Sequence, residues 1–507
     1  MEVGIDLGTT KSVIAYWQYG KPHIIPDGSG NLSIPSLVLV TPDEKIYVGR
    51  KAQRHPLRYE SKNITISSVK RLMGVKGETT WGSWNTYPQE ISAFILAELK
   101  YQAETYFGDE ITDAVIAIPA HFNENNRRAT KEAAQIAGFN VLCLVNEAVA
   151  ATMVYGLDRR NEEKVLVFDL GGGTLDVSVI EIGEGVFEVI CVEGDSKLGG
   201  DDFDQVIVDY VMRQIYNKYG SDIELNPFQE RILKDISERA KIELSSATTA
   251  QIRIPGFLNI GNQYYDLDVT LDRRTFESLS EDLFRRAVYI LKKALDFAGL
   301  GPSDIDALLF LGGSSRIPYF KITIKKEFGL SPFTGVDPET CVAQGAAILA
   351  ATRKGRMKEA LLLDVTPNSY GVGMKGDKFH KIIKKNTTLP TKKTGVFTTI
   401  EDNQTAIPIR IYEGESEKAS ENTYLGTLTL EGIPPARAGT IEMEVTFDID
   451  ANGIVHASAK DTTLGDGKDM TVRVDSPYRL NEVQLRTMRR NTDTWLLERR
   501  LEKTVFE

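Results

Sequence analysis

Apolar and polar positions change rhythm twice along this chain. From residue 1 to about residue 357, short apolar runs alternate with amphipathic stretches: Ala114-Val115-Ile116-Ala117-Ile118-Pro119 precedes a charged stretch from Glu124 to Ile136. That alternation predicts an α/β arrangement. After Arg353-Lys354-Gly355-Arg356 the texture changes, and from about Asp364 to Val474 period-two patterns dominate. In Ile441-Glu442-Met443-Glu444-Val445-Thr446-Phe447-Asp448-Ile449 the apolar side chains share one face, and the hairpin signal Asn452-Gly453 follows. This predicts a half-buried antiparallel strand within an all-β segment. From Leu480 to Glu507 the pattern is helical and charged, with Leu480, Val483, Leu485 and Met488 as its apolar stripe. The expected divisions are residues 1–357 (α/β), 358–364 (a connection), 365–478 (all-β) and 479–507 (helical).

Composition narrows the class. At roughly 150 residues per domain, 507 residues make about three domains or subdomains. The net charge of −11 lacks the basic footprint of a nucleic-acid binder, and no nucleic acid is expected as a partner. Hydrophobic content of 42% with 26% charged residues belongs to the globular range. The three cysteines, Cys143, Cys191 and Cys341, are too scattered for a disulfide framework or a zinc knuckle, which suits a reducing compartment. No apolar stretch approaches a spanning helix, no basic-then-apolar leader opens the chain, and a cytoplasmic protein without a membrane partner is expected. The five histidines have no metal-ligand spacing and read as isolated surface or core residues.

The chemistry begins with an internal echo. Gly4-Ile5-Asp6-Leu7-Gly8-Thr9-Thr10-Lys11-Ser12 and Phe168-Asp169-Leu170-Gly171-Gly172-Gly173-Thr174-Leu175-Asp176-Val177-Ser178 each read as a strand ending in Asp, a Gly/Thr turn and a second strand. Each is therefore a hairpin, unlike a P-loop or a dinucleotide fingerprint, which lead into helices. Glycine turns let backbone N–H groups approach an anion, and the Thr hydroxyls add donors. Alone, either turn is an ordinary tight hairpin; as a facing pair they would hold a polyphosphate from both sides. Asp6 and Asp169 would then point into one cleft and suit a hydrated magnesium ion. A third glycine element, Gly312-Gly313-Ser314-Ser315-Arg316, ends an apolar strand where open α/β sheets place ligands, although Gly-Gly also serves as punctuation. Glu238, Lys241 and Ser245 share a helix face, which could grip a ribose and base or be a solvated surface.

These motifs, together with Gly194-Asp195 and Leu198-Gly199-Gly200-Asp201-Asp202-Phe203-Asp204, occur in the order found in the seventy-kilodalton heat-shock chaperones of DnaK type, which the chain resembles from residue 1 to about residue 480. The resemblance implies an actin-like ATPase domain of two lobes around a nucleotide cleft, then a linker, a β-sandwich that binds peptides and the start of a helical lid. It further implies ATP or ADP with Mg²⁺ as cofactors. Lys70 then resembles the lysine that meets the γ-phosphate and attacking water, Glu147 and Asp176 the carboxylates that orient water or metal, and Thr174 a γ-phosphate contact. Asp6 and Asp169 resemble the metal-facing pair, with Asp169 also in the catalytic set. Gly8, Thr9, Thr10, Lys11, Gly171, Gly172, Gly173, Gly199, Gly200, Gly312, Gly313 and Ser314 fall on the family's phosphate and nucleotide loops. Glu238, Lys241, Ser245, Arg316 and Asp337 match its adenosine contacts. Pro119 and Arg127 resemble residues that pass nucleotide state to the linker Leu361-Leu362-Leu363-Asp364, whose leucines also read as a buried strand. Val372, Phe397, Ile407, Ile409 and Met443 occupy positions similar to the hydrophobic peptide pocket, while as apolar residues on strands they also read as sandwich core.

Unfolded or extended hydrophobic polypeptides are the implied clients, with a J-domain co-chaperone and a GrpE-type exchange factor as implied helpers. The sequence departs from the family at several of these places. Ala148-Val149 replaces Pro-Thr after Asn146-Glu147, and Cys143 stands where an arginine usually serves J-domain partners. Lys70 to Pro88 is shortened, which trims a region often touched by exchange factors. Lys11, Lys375 and Ile400 are unusual at their positions. Leu480 to Glu507 has room for a first lid helix and part of another, so bound peptide is expected to leave faster. A small-molecule kinase on the same ATPase architecture would leave the long β segment without a task. A vestigial nucleotide binder would have less need of Lys70, Glu147, Asp169 and Asp176.

Overall fold

The strands of the α/β part are apolar on both faces because each sheet is covered twice. In the computed structural model, which describes the chain apart from residues 56–62, 157–158, 160, 221–222, 262, 358–359, 462–472, 476–477 and 505–507, the first sheet runs Asn140–Asn146, Asp113–Ile118, Glu2–Leu7, Lys11–Gln18, Lys21–Ile24, with Ile34–Pro35 on the same hairpin strand. Its outer face, through Val3, Ile5, Ile116 and Ile118, packs on the helices Pro88–Phe107 and Glu124–Ile136. The second sheet runs Ala307–Leu311, Glu163–Leu170, Leu175–Gly183, Val186–Asp195, Leu361–Leu363. Its outer face buries Leu166, Phe168 and Val177 against long helices such as Gly200–Tyr219 and Glu281–Ala298.

Between the sheets lie the helices Glu147–Gly156 and Cys341–Arg353, nearly all buried and built largely from alanine. Glycine sets how closely they approach: a Cβ on Gly345 would sit 1.7 Å from the Ala150 carbonyl oxygen, and one on Gly4 would sit 2.0 Å from the Ala347 nitrogen. Small residues thus bring the two sheets together with their hairpin turns on the same side.

The all-β segment forms two sheets around one core. One is Lys378–Ile383, Tyr370–Met374, Ala406–Glu413, Thr423–Glu431, Arg473–Asp475, and the other is Thr391–Thr398, Glu442–Ile449, Val455–Asp461. The predicted strand at Glu442–Ile449 alternates as expected, with Met443, Val445, Phe447 and Ile449 buried. Gly453 takes φ 73° in the five-residue loop that follows, while Asn452 keeps a negative φ, so the hairpin closes through a longer loop than a two-residue Asn-Gly turn.

Several contacts tie this segment to the α/β part, among them the following. Leu361–Leu363 forms a parallel strand on Val186–Glu188, so the run that reads equally as strand or linker is a paired strand here; residues 358 and 359 of the expected linker lie outside the described residues. Lys385 reaches the buried Glu193 at 2.7 Å. Asn452 accepts from Arg127 at 3.0 Å through its carbonyl and from the Leu144 N–H at 3.0 Å through its side chain. The terminal helix, Glu482–Thr504, lies against Pro88–Phe107 and Glu124–Ile136 rather than on the β segment. Its buried face is Met488, Thr492, Trp495 and Leu496, with Trp495 edge-on to Phe94 and donating to the Ile46 carbonyl. Val483, expected in the stripe, is 72% exposed: it lies five residues before Met488, which at about 100° per residue turns it about 140° from the buried face. Among the described residues no helix is long and apolar enough to cross a membrane.

Candidate functional site

Both echoed motifs are antiparallel hairpins, with Asp6 opposite Val13 and Asp169 opposite Asp176. Their turns touch. A Cβ on Gly172 would lie 2.2 Å from the Thr10 hydroxyl, one on Gly173 would lie 3.0 Å from the Thr9 hydroxyl, and one on Gly199 would lie 2.5 Å from the Gly173 nitrogen. Gly200 and Asp201 donate their N–H groups to the carbonyls of Gly171 and Gly172 at 2.9 and 2.8 Å, seating the helix Gly200–Tyr219 against the second turn. Gly312, at φ 73°, approaches the Leu170 carbonyl so closely that a Cβ would fall 2.3 Å from its oxygen.

Around these turns opens a cavity of about 360 Å³. Asp6, Lys70, Glu147, Asp169 and Thr174 line its floor with Gly8, Thr9, Thr10, Gly171 and Gly172. Glu238, Lys241, Ser245, Gly312, Gly313, Ser314 and Arg316 line its outer wall with Gly200 and Lys11. Gly173, Gly199, Asp176 and Asp337 are not on the wall: the two glycines pack behind the turns, Asp176 sits under the floor, and Asp337 holds Arg316 at 3.2 Å.

The floor carries more buried negative charge than the chain neutralises. Lys70, in the 3-10 turn Val69–Leu72, pairs with Glu147 at 2.6 Å and lies 5.9 Å from the Phe122 ring centroid. Burial works against its charge, but Glu147 and Asp6 hold its pKa above the usual lysine value. Burial, then Glu147, pushes Asp6 to about 7 against the pull of Lys70. Burial and the carboxylates of Glu147, Asp176 and Asp6 push Asp169 well above the usual range. One oxygen of Asp176, Oδ2, is buried without a hydrogen-bond partner. Such a floor fits a divalent cation. Among the described residues no cluster of three ligating side chains could chelate it directly, which suits magnesium held by one or two carboxylates, water and phosphate oxygens.

Several members of the site lack a sequence signal. His121 is not isolated: its N–H and Nδ1 lie 3.0 and 2.6 Å from Asp176 Oδ1, and although burial opposes its charge, Asp176 raises its pKa. Asp204 pairs with Lys241 at 2.8 Å, and Lys241 also donates to the Gly200 carbonyl at 3.0 Å. Ser33, Asp201, Ile242, Pro338, Glu339 and Val342 complete the wall. Lys11 points its ammonium at Glu339, 3.0 Å away across the mouth. Arg71, Ser68 and Asp201 join the two sides on another edge, with Arg71 to Asp202 at 2.8 Å and Ser68 to Asp201 at 2.7 Å.

From the floor a continuous set of contacts leads to the β segment. Asp176 holds His121; Pro119 accepts from the Phe122 N–H at 3.1 Å; Arg127, fully buried, donates to the Phe122 carbonyl at 2.9 Å and to Asn452. Asp364 is buried near Arg127, and burial raises its pKa while Arg127 lowers it. In the β segment, Val372, Ile409 and Met443 are buried in the shared core, and Phe397 and Ile407 are half-buried against it. Phe397 pairs with Met443 in register, and Met374, Val396 and Ile400 are exposed beside them. Cys143 is buried at the position expected to lack a cation, with Arg353 beside its thiol.

Facing glycine hairpins, a carboxylate floor with the buried Lys70 ammonium and an outer wall of polar and glycine residues form one cleft between the two sheets. The chain matches the family described as Hsp70 protein over residues 2–507 and belongs to it. Members of this family are ATPases that bind ATP or ADP with magnesium, and they engage unfolded polypeptides and co-chaperones.

Proposed function

We propose that this chain is an ATP-dependent molecular chaperone of the cytoplasm, which binds extended hydrophobic segments and uses ATP hydrolysis to switch that site between open and closed states. The N–H groups and hydroxyls of the Thr9-Thr10 and Gly171-Gly172-Gly173-Thr174 turns hold the phosphates. Lys70 Nζ, fixed by Glu147, offsets charge on the γ-phosphate and positions the attacking water. Magnesium, when bound, supplies further charge neutralisation at the phosphates; Asp6 and Asp169 would hold it, largely through water. Glu238, Lys241, Ser245 and Arg316 take the nucleoside, with Lys241 fixed by Asp204.

One observation carries the switch. The strand Leu361–Leu363 belongs to the same sheet as the Asp169–Asp176 hairpin, two strands away, so a change at the phosphate turns and the seating of the linker act on one body. The α/β part (residues 1–357) is then the actin-like ATPase, 358–364 the linker, 365–478 the peptide-binding sandwich, and 479–507 the beginning of a lid. Allostery of this kind is reciprocal, so peptide must alter nucleotide turnover as nucleotide alters peptide affinity. A J-domain partner would meet the buried Cys143 rather than an exposed cation, so its docking would rest on other residues. A GrpE-type factor would meet a shortened edge.

The test is single-turnover ATP hydrolysis by the full chain with and without an extended Leu-rich peptide. Stimulation that disappears in Lys70→Ala is the expected result. Hydrolysis that ignores saturating peptide would overturn the coupling.

A further inference from the structure

The strands that carry the proposed peptide pocket are charged unevenly. Between Gly371 and Thr398 the chain has seven lysines and a single carboxylate, Asp377. That carboxylate is already satisfied, accepting from the Ser420 N–H at 2.9 Å and its hydroxyl at 2.6 Å. Lys381 and Lys385 are paired with Glu415 and Glu193, at 2.5 and 2.7 Å. Lys375, Lys378 and Lys393 are exposed, and among the described residues no carboxylate lies within ion-pair distance of them. Lys375 and Lys378 flank the turn joining Tyr370–Met374 to Lys378–Ile383; Lys393 lies on Thr391–Thr398.

Both lysine-bearing strands are edge strands, Lys378–Ile383 in one sheet and Thr391–Thr398 in the other. They approach one another, with the His380 ring edge-on to Phe397 at 5.7 Å. The edge of Lys378–Ile383 is bridged at its start by residues 417–419, with the Phe379 N–H on the Glu417 carbonyl at 2.8 Å, whereas Thr391–Thr398 has no further strand beside it among the described residues; such an open edge adds an extended segment through its backbone, while pockets select its side chains. Exposed Met374, next to Lys375 in the chain and opposite Lys378 in register, supplies apolar contact beside the lysines. The carboxylates on the neighbouring strand lie on the other face from Lys393: Glu442 and Glu444 are opposite Thr398 and Val396, and Asp402 accepts from the Ala438 N–H.

We propose that this lysine edge makes the site selective for extended segments whose apolar core is flanked by acidic residues. The inference rests on the peptide-binding reading above and adds the charge of the preferred client. Exposed lysines act at the surface, so the preference is one of encounter and modest affinity, and salt screens it. An exposed ion pair changes affinity by a factor of about two to five, and two or three acting together give roughly tenfold.

Three labelled peptides with one Leu/Ile core and flanks of Glu, Ser or Lys would be titrated into the full chain in ADP by fluorescence anisotropy. The expected order of affinity is Glu, then Ser, then Lys, about tenfold between the extremes at low salt and within twofold at high salt. The triple variant Lys375→Glu, Lys378→Glu, Lys393→Glu should invert that order, with its basal ATP hydrolysis and the denaturant midpoint of its sandwich unchanged, which shows that both parts have folded. Lys flanks binding as tightly as Glu flanks, or a triple variant that leaves the order intact, would overturn the proposal. If the Ser-flanked peptide does not bind at all, the peptide-binding reading itself fails and this inference falls with it.

Discussion

In the cleft, the carboxylates of Asp6, Glu147 and Asp169 share the Lys70 ammonium beside an open cavity of about 360 Å³; in the sandwich, Val372, Ile409 and Met443 are folded into a core at 2%, 7% and 1% exposure. The contrast follows from what each ligand offers. A polyphosphate with its cation is bound by groups that stay unsatisfied until it arrives, so the floor keeps buried charge that folding alone would not choose. An apolar segment is bound by the same side chains that hold a sandwich together, so its site and its core share one vocabulary. Unpaired charge therefore marks a site by itself, whereas apolar residues mark one only when exposure or edge geometry adds to them.

The largest expected effect tests the charged side of this contrast. Lys70→Ala removes the one ammonium from the floor and should lower single-turnover hydrolysis by about 10²–10³-fold, with ATP binding retained in equilibrium titration. Next, Met443→Ala tests the apolar side. Because Met443 is buried in the core, the variant should lose about 2–5 kcal/mol of sandwich stability in denaturant unfolding.

A third prediction concerns a carboxylate that lies between the two regions. Glu413 accepts from the Glu124 N–H at 2.8 Å and from Asn368 at 3.0 Å, across the junction of the sandwich and the α/β part. Burial pushes its pKa from 4.5 to about 7, Asn368 and the Glu124 amide pull it down, the Glu124 carboxylate raises it, and Arg127 lowers it. Tyr370 faces the same carboxylate, and its own pKa is raised by burial and by Glu413. Seating the sandwich thus takes up a proton. The contribution is complete below the ordinary carboxylate value and is lost as pH rises through about 7. Hydrogen exchange at Leu361–Leu363 should report seating roughly tenfold weaker at pH 8 than at pH 6, and Glu413→Gln should flatten that profile. The smallest effect belongs to Lys11→Ala. Its pair with Glu339 is exposed on both sides, so nucleotide release measured by stopped flow should quicken by no more than about fivefold.

What could be read from the sequence was local. The two hairpins announce themselves because Asp, Gly and Thr at fixed spacing have few other uses. Glu124–Ile136 was legible as a helix, and Asn123 caps it by accepting from the Asn126 N–H. The Glu442–Ile449 strand shows its buried face by alternation alone. What escaped was set by partners distant in the chain. Lys241 meets Asp204, Lys70 meets Glu147 and His121 meets Asp176, and none of these pairs has a spacing that a pattern could detect. Leu361-Leu362-Leu363 fits a strand or a linker because three apolar residues carry no period, and pairing with Val186–Glu188 decides which it is here. Val483 misled because a helix's apolar stripe is fixed by its neighbour, and this neighbour is Pro88–Phe107.

The seat of the terminal helix also gives the molecule an optical signature. Trp495 is 7% exposed, its ring edge-on to Phe94 and its indole N–H on the Ile46 carbonyl, while Trp17, Trp81 and Trp84 are only partly covered and lie in the α/β part. Departure of the helix from this seat would transfer that single indole from an apolar wall to water and shift its emission to the red. The position of the helix can then be followed in unlabelled protein, in real time, through the one buried indole, with Trp17 as a background that packs on a different cluster.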